Sequence, residues 1–473
     1  MLDFVKRVFL GLVHSAGVVF ATMVTLCYRG TQRMMLGGAK RAGSWRIRVN
    51  TEASGTSNLT VSNYMYSDSG ANITTDWGDG TRTTQSELAT HTYANPGEYV
   101  ISHMSKGSDY SGIKIKAGEH NTITDVLDVL PSLPTMGDGF AKCFYKCPYL
   151  KSVPEGLFDN NADQITTLES AFSYITTGPL SVPGNLYKGM SKLTSISHLY
   201  DHSVLGSDIP DGWFEGNTVL TDVSNCFSNA TLDKCGDNTF KDCTALSNIN
   251  EAFYGASINS IGNATFKNCT AIRPTDNHFA TFSYIKCNSL GNETFANCTQ
   301  LISARDIFHF INIKRIGERT FANCTNLNSN FTLGIFLDND YYRSRANLES
   351  LGDYTFENVH NLSMNGVVES NHLTTLPPHM FKGVHKFYIN QANGVPPFRM
   401  PNLGACDLYL DTDDYHSDFG PNLFESDGVY GIPKMTDTTK RYVHYKKTKS
   451  TDADESYNDG YWIYVNDNGY LSE

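Results

Sequence analysis

The side chains with the greatest chemical potential in this sequence are its cysteines, and four of them recur in one setting. Cys243, Cys269, Cys298 and Cys324 each stand in an Asn/Asp-Cys-Thr triplet, at spacings of 26, 29 and 26 residues. A nucleophile needs one thiol among unlike partners, whereas regular recurrence is what a repeated buried position gives, with cysteine acting as a small hydrophobe. Eleven cysteines are an odd number for a closed disulfide set, and Cys143 with Cys147 does not make the paired C-x2-C pattern of a zinc site. The reading is a ladder of buried thiols, with no metal. The chain also lacks the G-x-S-x-G elbow, H-E-x-x-H, the G-x-x-x-x-G-K-S/T loop and G-x-G-x-x-G. Gly137-Asp138-Gly139 reads as a turn, and no catalytic residue is assigned.

Charge narrows the partners further. Lys and Arg number 37 against 49 Asp and Glu, a net charge of −12, and no basic block offers a phosphate backbone its usual counterions, so nucleic acid is excluded as a partner. With 40% hydrophobic, 12% aromatic and only 18% charged residues, the chain is a folded one. Its 473 residues suffice for about three domains.

The elements that must position these groups start with residues 1–44. Within them, residues 8–28 form a largely apolar run of 21 behind Lys6 and Arg7, long enough to cross a bilayer. Export signal, membrane anchor, attachment segment and a start at Met34 or Met35 all stay open for this stretch, because Arg29, Arg33, Lys40 and Arg41 follow it as basic residues precede it.

From Trp45 the pattern alternates, with Trp45, Ile47 and Val49 on one face and Arg46 and Arg48 on the other, which predicts a half-buried strand. Two turn signals follow: Trp77-Gly78-Asp79-Gly80, and His91-Thr92-Tyr93-Ala94-Asn95-Pro96-Gly97-Glu98-Tyr99 leading into a strand. Over residues 45–118 this resembles the PKD domain, an immunoglobulin-like β-sandwich of surface proteins whose signature is W-G-D-G then H-x-Y-x-x-P-G-x-Y. On that resemblance Trp77, Asp79, Tyr93, Pro96, Gly97 and Tyr99 are the motif residues, and it implies a spacer or interaction module without catalysis. Asp76 and Asp79 are the one candidate calcium pair, although carboxylates in such turns more often cap backbone N–H groups. No other cofactor is expected.

Repetition then dominates. An aromatic residue closes the pattern aliphatic, Pro or Gly, polar residues, aromatic at Phe158, Tyr187, Phe214, Phe240, Phe266, Phe295, Phe321, Phe356 and Phe381, mostly 25 to 29 residues apart. A second series, Phe144, Phe172, Tyr200, Phe227, Phe253, Phe282 and Phe308, runs 13 to 15 residues ahead. The spacing predicts a solenoid over 130–390, each coil one short strand with an irregular or short helical return. Phe240, Phe266, Phe295, Phe321 and the four cysteines form its repeated core. The sequence here is similar to the BspA-like, or Treponema pallidum-type, leucine-rich repeat, I-x-x-x-A-F-x-x-C-x-x-L-x-x-I. The cysteine of that pattern is read as replaced at Gly189, Gly216, Val359 and Val384. The resemblance implies surface recognition of host proteins or other cells, and similar repeats occur in phages of gut bacteria.

The 35-residue step from Phe321 to Phe356 carries an insertion, in which Tyr341, Tyr342, Arg343 and Arg345 are candidate ligand-binding residues of interface type. Residues 391–473 read as a cap, with strands Arg441 to Tyr445 and Tyr461 to Val465 forming a hairpin. The expected fold class is therefore mainly β: a PKD-like sandwich, a leucine-rich-repeat solenoid and a small β cap. The expected function is non-enzymatic recognition at the cell surface or after secretion, through a host or cell-surface protein or glycan. A phage virion protein contacting other virion proteins is the alternative, and a polysaccharide-acting enzyme with an accessory PKD domain is a third reading.

Overall fold

The computed structural model describes residues 44–384 with interruptions, the longest at 106–112, 116–121, 133–139, 274–279 and 328–347. Beyond residue 384 it describes only the strands 386–388, 398–399, 406–410, 441–445, 462–465 and 471–472. Residues 8–28 lie outside the described part; among the described residues no helix is long and apolar enough to cross a membrane.

The first unit contains β1 (Ser44–Asn50), β2 (Thr60–Ser62), β3 (Met65–Ser67), β4 (Ile73–Asp76), β5 (Arg82–Gln85), β6 (Thr90–Thr92), β7 (Glu98–Ser105), β8 (Ile113–Ile115) and β9 (Ile123–Val126). Five of them form one antiparallel sheet in the order β5-β4-β7-β1-β9, while β2-β6 and β3-β8 are two short ladders. The alternation of β1 places Trp45, Ile47 and Val49 in the core with Val61, Met65, Trp77 and Ile101. The sheet extends past residue 118, since β9 pairs with β1 through Ile47 opposite Val126.

The same β9 begins the repeats. Asp125 bridges Ser152 in parallel, with Val126 N–H donating to Ser152 O at 3.0 Å and Lys151 N–H to Thr124 O at 2.8 Å. Arg46 clamps Asp128 through two bonds of 2.6 and 2.9 Å, Arg48 meets Asp125 at 3.0 Å, and Ser152 Oγ donates to Asp125 at 2.6 Å. From Ser152 the rungs continue in parallel as single bridges, Ser152 to Ser181, Leu180 to Leu205 and Val204 to Thr231. They then become β10 (Thr231–Cys235), β11 (Ser257–Ile261), β12 (Lys286–Leu290), β13 (Asn312–Ile316) and β14 (Ser350–Leu351), paired in chain order. In β10, β11 and β12 the second and fifth residues are buried and the first and third exposed, so each rung sends two side chains inward.

Of the irregular or short helical returns expected, the irregular kind is found. A three-residue 3-10 turn at Asp159–Asn161 is the helix among the described residues, and the rest are successive turns. The cause is backbone handedness. Residues two before and two after most of the aromatics have positive φ, as at Asn238 (60°) and Asp242 (62°) around Phe240, or His198 (55°) and His202 (57°) around Tyr200. Two left-handed residues four apart break any helical run, and the freed N–H groups bond to the next coil, as from Asn238 to Asn263 O and Phe240 to Thr265 O.

Past residue 360, β15 (Asn361–Ser363), β16 (Val368–Glu369), β17 (Lys386–Tyr388), β18 (Phe398–Arg399), β19 (Cys406–Leu410), β20 (Arg441–Tyr445), β21 (Trp462–Val465) and β22 (Leu471–Ser472) follow. The terminal sheet runs β19-β20-β21-β22, parallel at its first pair. The hairpin expected from the sequence corresponds to β20 and β21, antiparallel with Tyr442 opposite Tyr464 and His444 opposite Trp462.

Candidate recognition surface

Inside the coils, two columns of rings carry the packing. The first stacks Tyr187, Phe214, Phe240, Phe266, Phe295, Phe321, Phe356 and Phe381 with centroids 4.8 to 5.8 Å apart. The second stacks Phe144, Phe172, Tyr200, Phe227, Phe253 and Phe282 at 5.2 to 5.8 Å. Edge-to-face contacts such as Phe253 to Phe266 join the columns, and a Tyr187–Tyr200 hydroxyl pair does so in the earlier coils.

Phe240, Phe266, Phe295, Phe321, Cys243, Cys269, Cys298 and Cys324 are all buried at 0% exposure. Each thiol donates to the carbonyl of the aromatic one coil earlier: Cys243 to Phe214, Cys269 to Phe240, Cys298 to Phe266 and Cys324 to Phe295, at 3.0 to 3.1 Å. Burial pushes Cys243 and Cys324 up to about 12, and Cys269 and Cys298 well above the usual thiol range, so these groups are thiols rather than thiolates. The nine cysteines from Cys143 to Cys324 are all free and buried. The residue at the thiol position in the earlier coils is Met190 or Asn217. Gly189 (φ 82°) and Gly216 (φ 73°), read from the sequence as the replacements, occupy the left-handed position beside it.

Glycine at the head of the later coils has a steric cause. A Cβ on Gly291 or Gly317 would lie 2.5 Å from the backbone nitrogen of Asn263 or Asn292 in the preceding coil. The threonine three residues on, Thr294 or Thr320, then donates to that glycine's carbonyl.

The two turn edges are built alike and furnished differently. After the first aromatic column, the left-handed position holds Gly189, Gly216, Asp242, Asn268, Asn297, Asn323, Asn358 and Gly383. From Asp242 to Asn358 their side chains form a continuous ladder of amide bonds at 2.6 to 2.8 Å. After the second column, the equivalent position holds Lys146, Tyr174, His202, Asn229, Gly255 and Tyr284. Here Tyr145 meets Tyr174 edge-on at 5.8 Å and Tyr174 stacks on His202 at 4.6 Å. Asp201 sits between two imidazoles, accepting from His198 Nδ1 at 3.1 Å and His202 Nδ1 at 2.6 Å. The hydrogen bond that His198 donates to Asp201 raises the His198 pKa, against desolvation that lowers it. The sequence signal for this edge is the residue two beyond each aromatic of the second series, which repeat matching passes over because it varies.

In the first unit the motif side chains meet around one turn. Trp77 stacks on His91 at 5.0 Å, Tyr93 on Tyr99 at 3.7 Å, and the Tyr93 hydroxyl donates to Trp77 O at 2.8 Å. Asp79 accepts from the Thr81 hydroxyl and N–H at 2.6 and 3.0 Å and pairs with His91 Nε2 at 2.7 Å. Asp76 accepts from Gly78 N–H and Arg82. Gly97 N–H donates to Thr51 Oγ1 at 2.9 Å, fixing the turn that follows Pro96. The carboxylates considered for calcium thus hold turn donors, and among the described residues no three such side chains are placed to hold a metal ion together. Tyr341, Tyr342, Arg343 and Arg345 lie outside the described residues.

Comparison with known proteins bears on the repeats. No curated protein matches the sequence. A crystal structure of a leucine rich cell surface protein from Faecalibacterium prausnitzii A2-165 is matched at 14% identity over 62% of this chain and 94% of that one, with a TM-score of 0.15. The family described as BspA type Leucine rich repeat region matches residues 180–328 and 286–393, in six copies. The matched residues hold the ring columns from Tyr187 and Tyr200 onward, the thiol ladder and the amide ladder, and they are similar to that family's repeat.

Proposed function

We propose that this is a non-enzymatic recognition protein of the cell surface or of secretion, in which the repeats form a solenoid that presents a contact surface to a host or cell-surface protein or glycan. The observation that carries this reading is the division of labour within each coil. Rings, thiols and glycines are consumed by packing against the neighbouring coil, while the turn edges display varied polar and aromatic residues. Repetition of that unit yields area for contact, and the buried thiols are in the wrong protonation state for nucleophilic chemistry. The sandwich is taken as a PKD-like domain that caps and spaces the repeats, and residues 8–28 as the means of export or attachment. Tyr341, Tyr342, Arg343 and Arg345 belong to this proposal on composition alone.

The test is saturable binding of the labelled full-length chain to a panel of bacterial and mammalian cells, each untreated, protease-treated and periodate-treated. Binding to at least one cell type that either treatment removes is the expected result; absence of saturable binding across the panel counts against the proposal.

The thiols favour one second reading, a virion protein that folds in a reducing cytoplasm before meeting an oxidising exterior. Recovery of the intact chain in particles rather than in the cell envelope would select it.

A further inference from the structure

We propose that the edge formed by Tyr145, Tyr174 and His202, with His198 and Asp201 beside them, is the subsite for a linear neutral glycan, with one sugar residue per coil. This rests on the recognition reading above and names its partner class.

Backbone conformation sets the edge apart from its counterpart after the first column. Tyr174 (φ 62°), His202 (57°) and Tyr284 (57°) hold rings in the left-handed region, where the same position elsewhere in the edge is Lys146, Asn229 or Gly255. The eight equivalent positions of the opposite edge are all Gly, Asn or Asp, which adopt that conformation cheaply. Rings at this position are costly to the fold and unneeded by it, since both core columns are complete without them.

Geometry then points to the ligand. The ring centroids advance by 5.8 and 4.6 Å, one ring per coil, comparable with the length of a pyranose unit in an extended chain. Apolar ring edges beside fixed polar groups suit a sugar, which offers both C–H faces and hydroxyls. His198 and His202 each spend Nδ1 on Asp201 with side chains 44% and 43% exposed, leaving Nε2 to meet a hydroxyl. Lys142 pairs with Glu169 at 3.5 Å and Lys146 lies over the Tyr145 ring at 5.4 Å, and the edge's two lysines are matched in number by Glu169 and Asp201, which suits a neutral chain rather than an acidic one. Among the described residues, the exposed large hydrophobics are Val219 and Tyr284, which lie on different coils and form no contiguous apolar patch beside the edge.

The experiment titrates cellohexaose, mannohexaose, xylohexaose and laminarihexaose into the full-length chain by calorimetry, and into the double variant Tyr174→Asn with His202→Asn. Asparagine already occupies this position at Asn229, so the variant keeps its backbone, and its unfolding temperature should be unchanged or raised. The expected result is binding of at least one oligosaccharide, weakened about tenfold or more in the variant, as loss of two ring contacts implies. No binding of any oligosaccharide, or equal affinity of the two proteins, overturns the proposal. So does loss of binding only to protease-sensitive cells, which would make the edge a protein contact. Cell binding that the variant retains in full defeats this edge and leaves the broader recognition reading standing; absence of cell binding by either protein defeats the broader reading, while the titration still decides the edge.

Discussion

Phe266 is surrounded on four sides by rings, with Phe240 and Phe295 at 5.3 Å and Phe253 and Phe282 at 6.3 and 6.4 Å. Truncation there cannot be healed by one neighbour moving, because each is fixed by the next coil. Phe266→Ala should lower stability by about 3–5 kcal/mol, read from the denaturant midpoint; a loss near zero would mean that the rings do not carry the core. The thiols make a different prediction. Their pKa values are raised by burial above the unfolded value of about 8.5, so the stability they contribute is complete below that pH and is lost as pH climbs toward about 12. The unfolding temperature should therefore fall across this alkaline range. A Cys298→Ala variant should be less stable at neutral pH yet show a shallower fall, and equal slopes would contradict the assignment.

At the scale of the element, the Asp79 turn is a test piece. Burial pushes its carboxyl up, but the Thr81 hydroxyl and N–H and the His91 ring outweigh this and hold it at about 2. A carboxylate depressed in the folded state contributes stability above its unfolded value of about 3.9, and that stability drains away between there and pH about 2. Asp79→Asn should flatten the acid side of the unfolding profile of the first unit, followed by tryptophan fluorescence of the buried Trp45 and Trp77. The turn itself was legible because Asp-Gly and Asn-Pro-Gly carry a stereochemical signal, and the ring columns were legible because large aromatics at one spacing have few other uses. The character of the returns was not. Their left-handed positions include Lys142, Ser170 and Glu251, residue types that announce no turn, so irregular and short helical returns both stayed open. Nor did Ile123–Val126 declare from its own four residues that it serves two sheets at once, since that role exists only once β1 and Ser152 lie on either side of it. The aromatic–histidine edge escaped for a related reason: a search for sameness discards the positions where coils differ.

For the whole molecule, the five-stranded sheet of the first unit and the repeats share a hydrogen-bonded path through β9, so the first repeat has no bare edge at that end. From there each rung bonds to the next in chain order, through β10 to β14. Those bonds point along the direction in which coils are added. A surface-bound protein gripping a partner in flowing liquid would carry tension along that same direction, and the rungs would be loaded one after another, as in a zipper, rather than all together. Each coil of 26 residues that let go would pay out about 90 Å of chain. Single-molecule pulling between the ends of the repeats should show a regular sawtooth with that increment at low force, and a single cooperative rupture would contradict it. Stacked coils would then act as a shock absorber, lengthening under load so that the bond to the partner outlasts the pull.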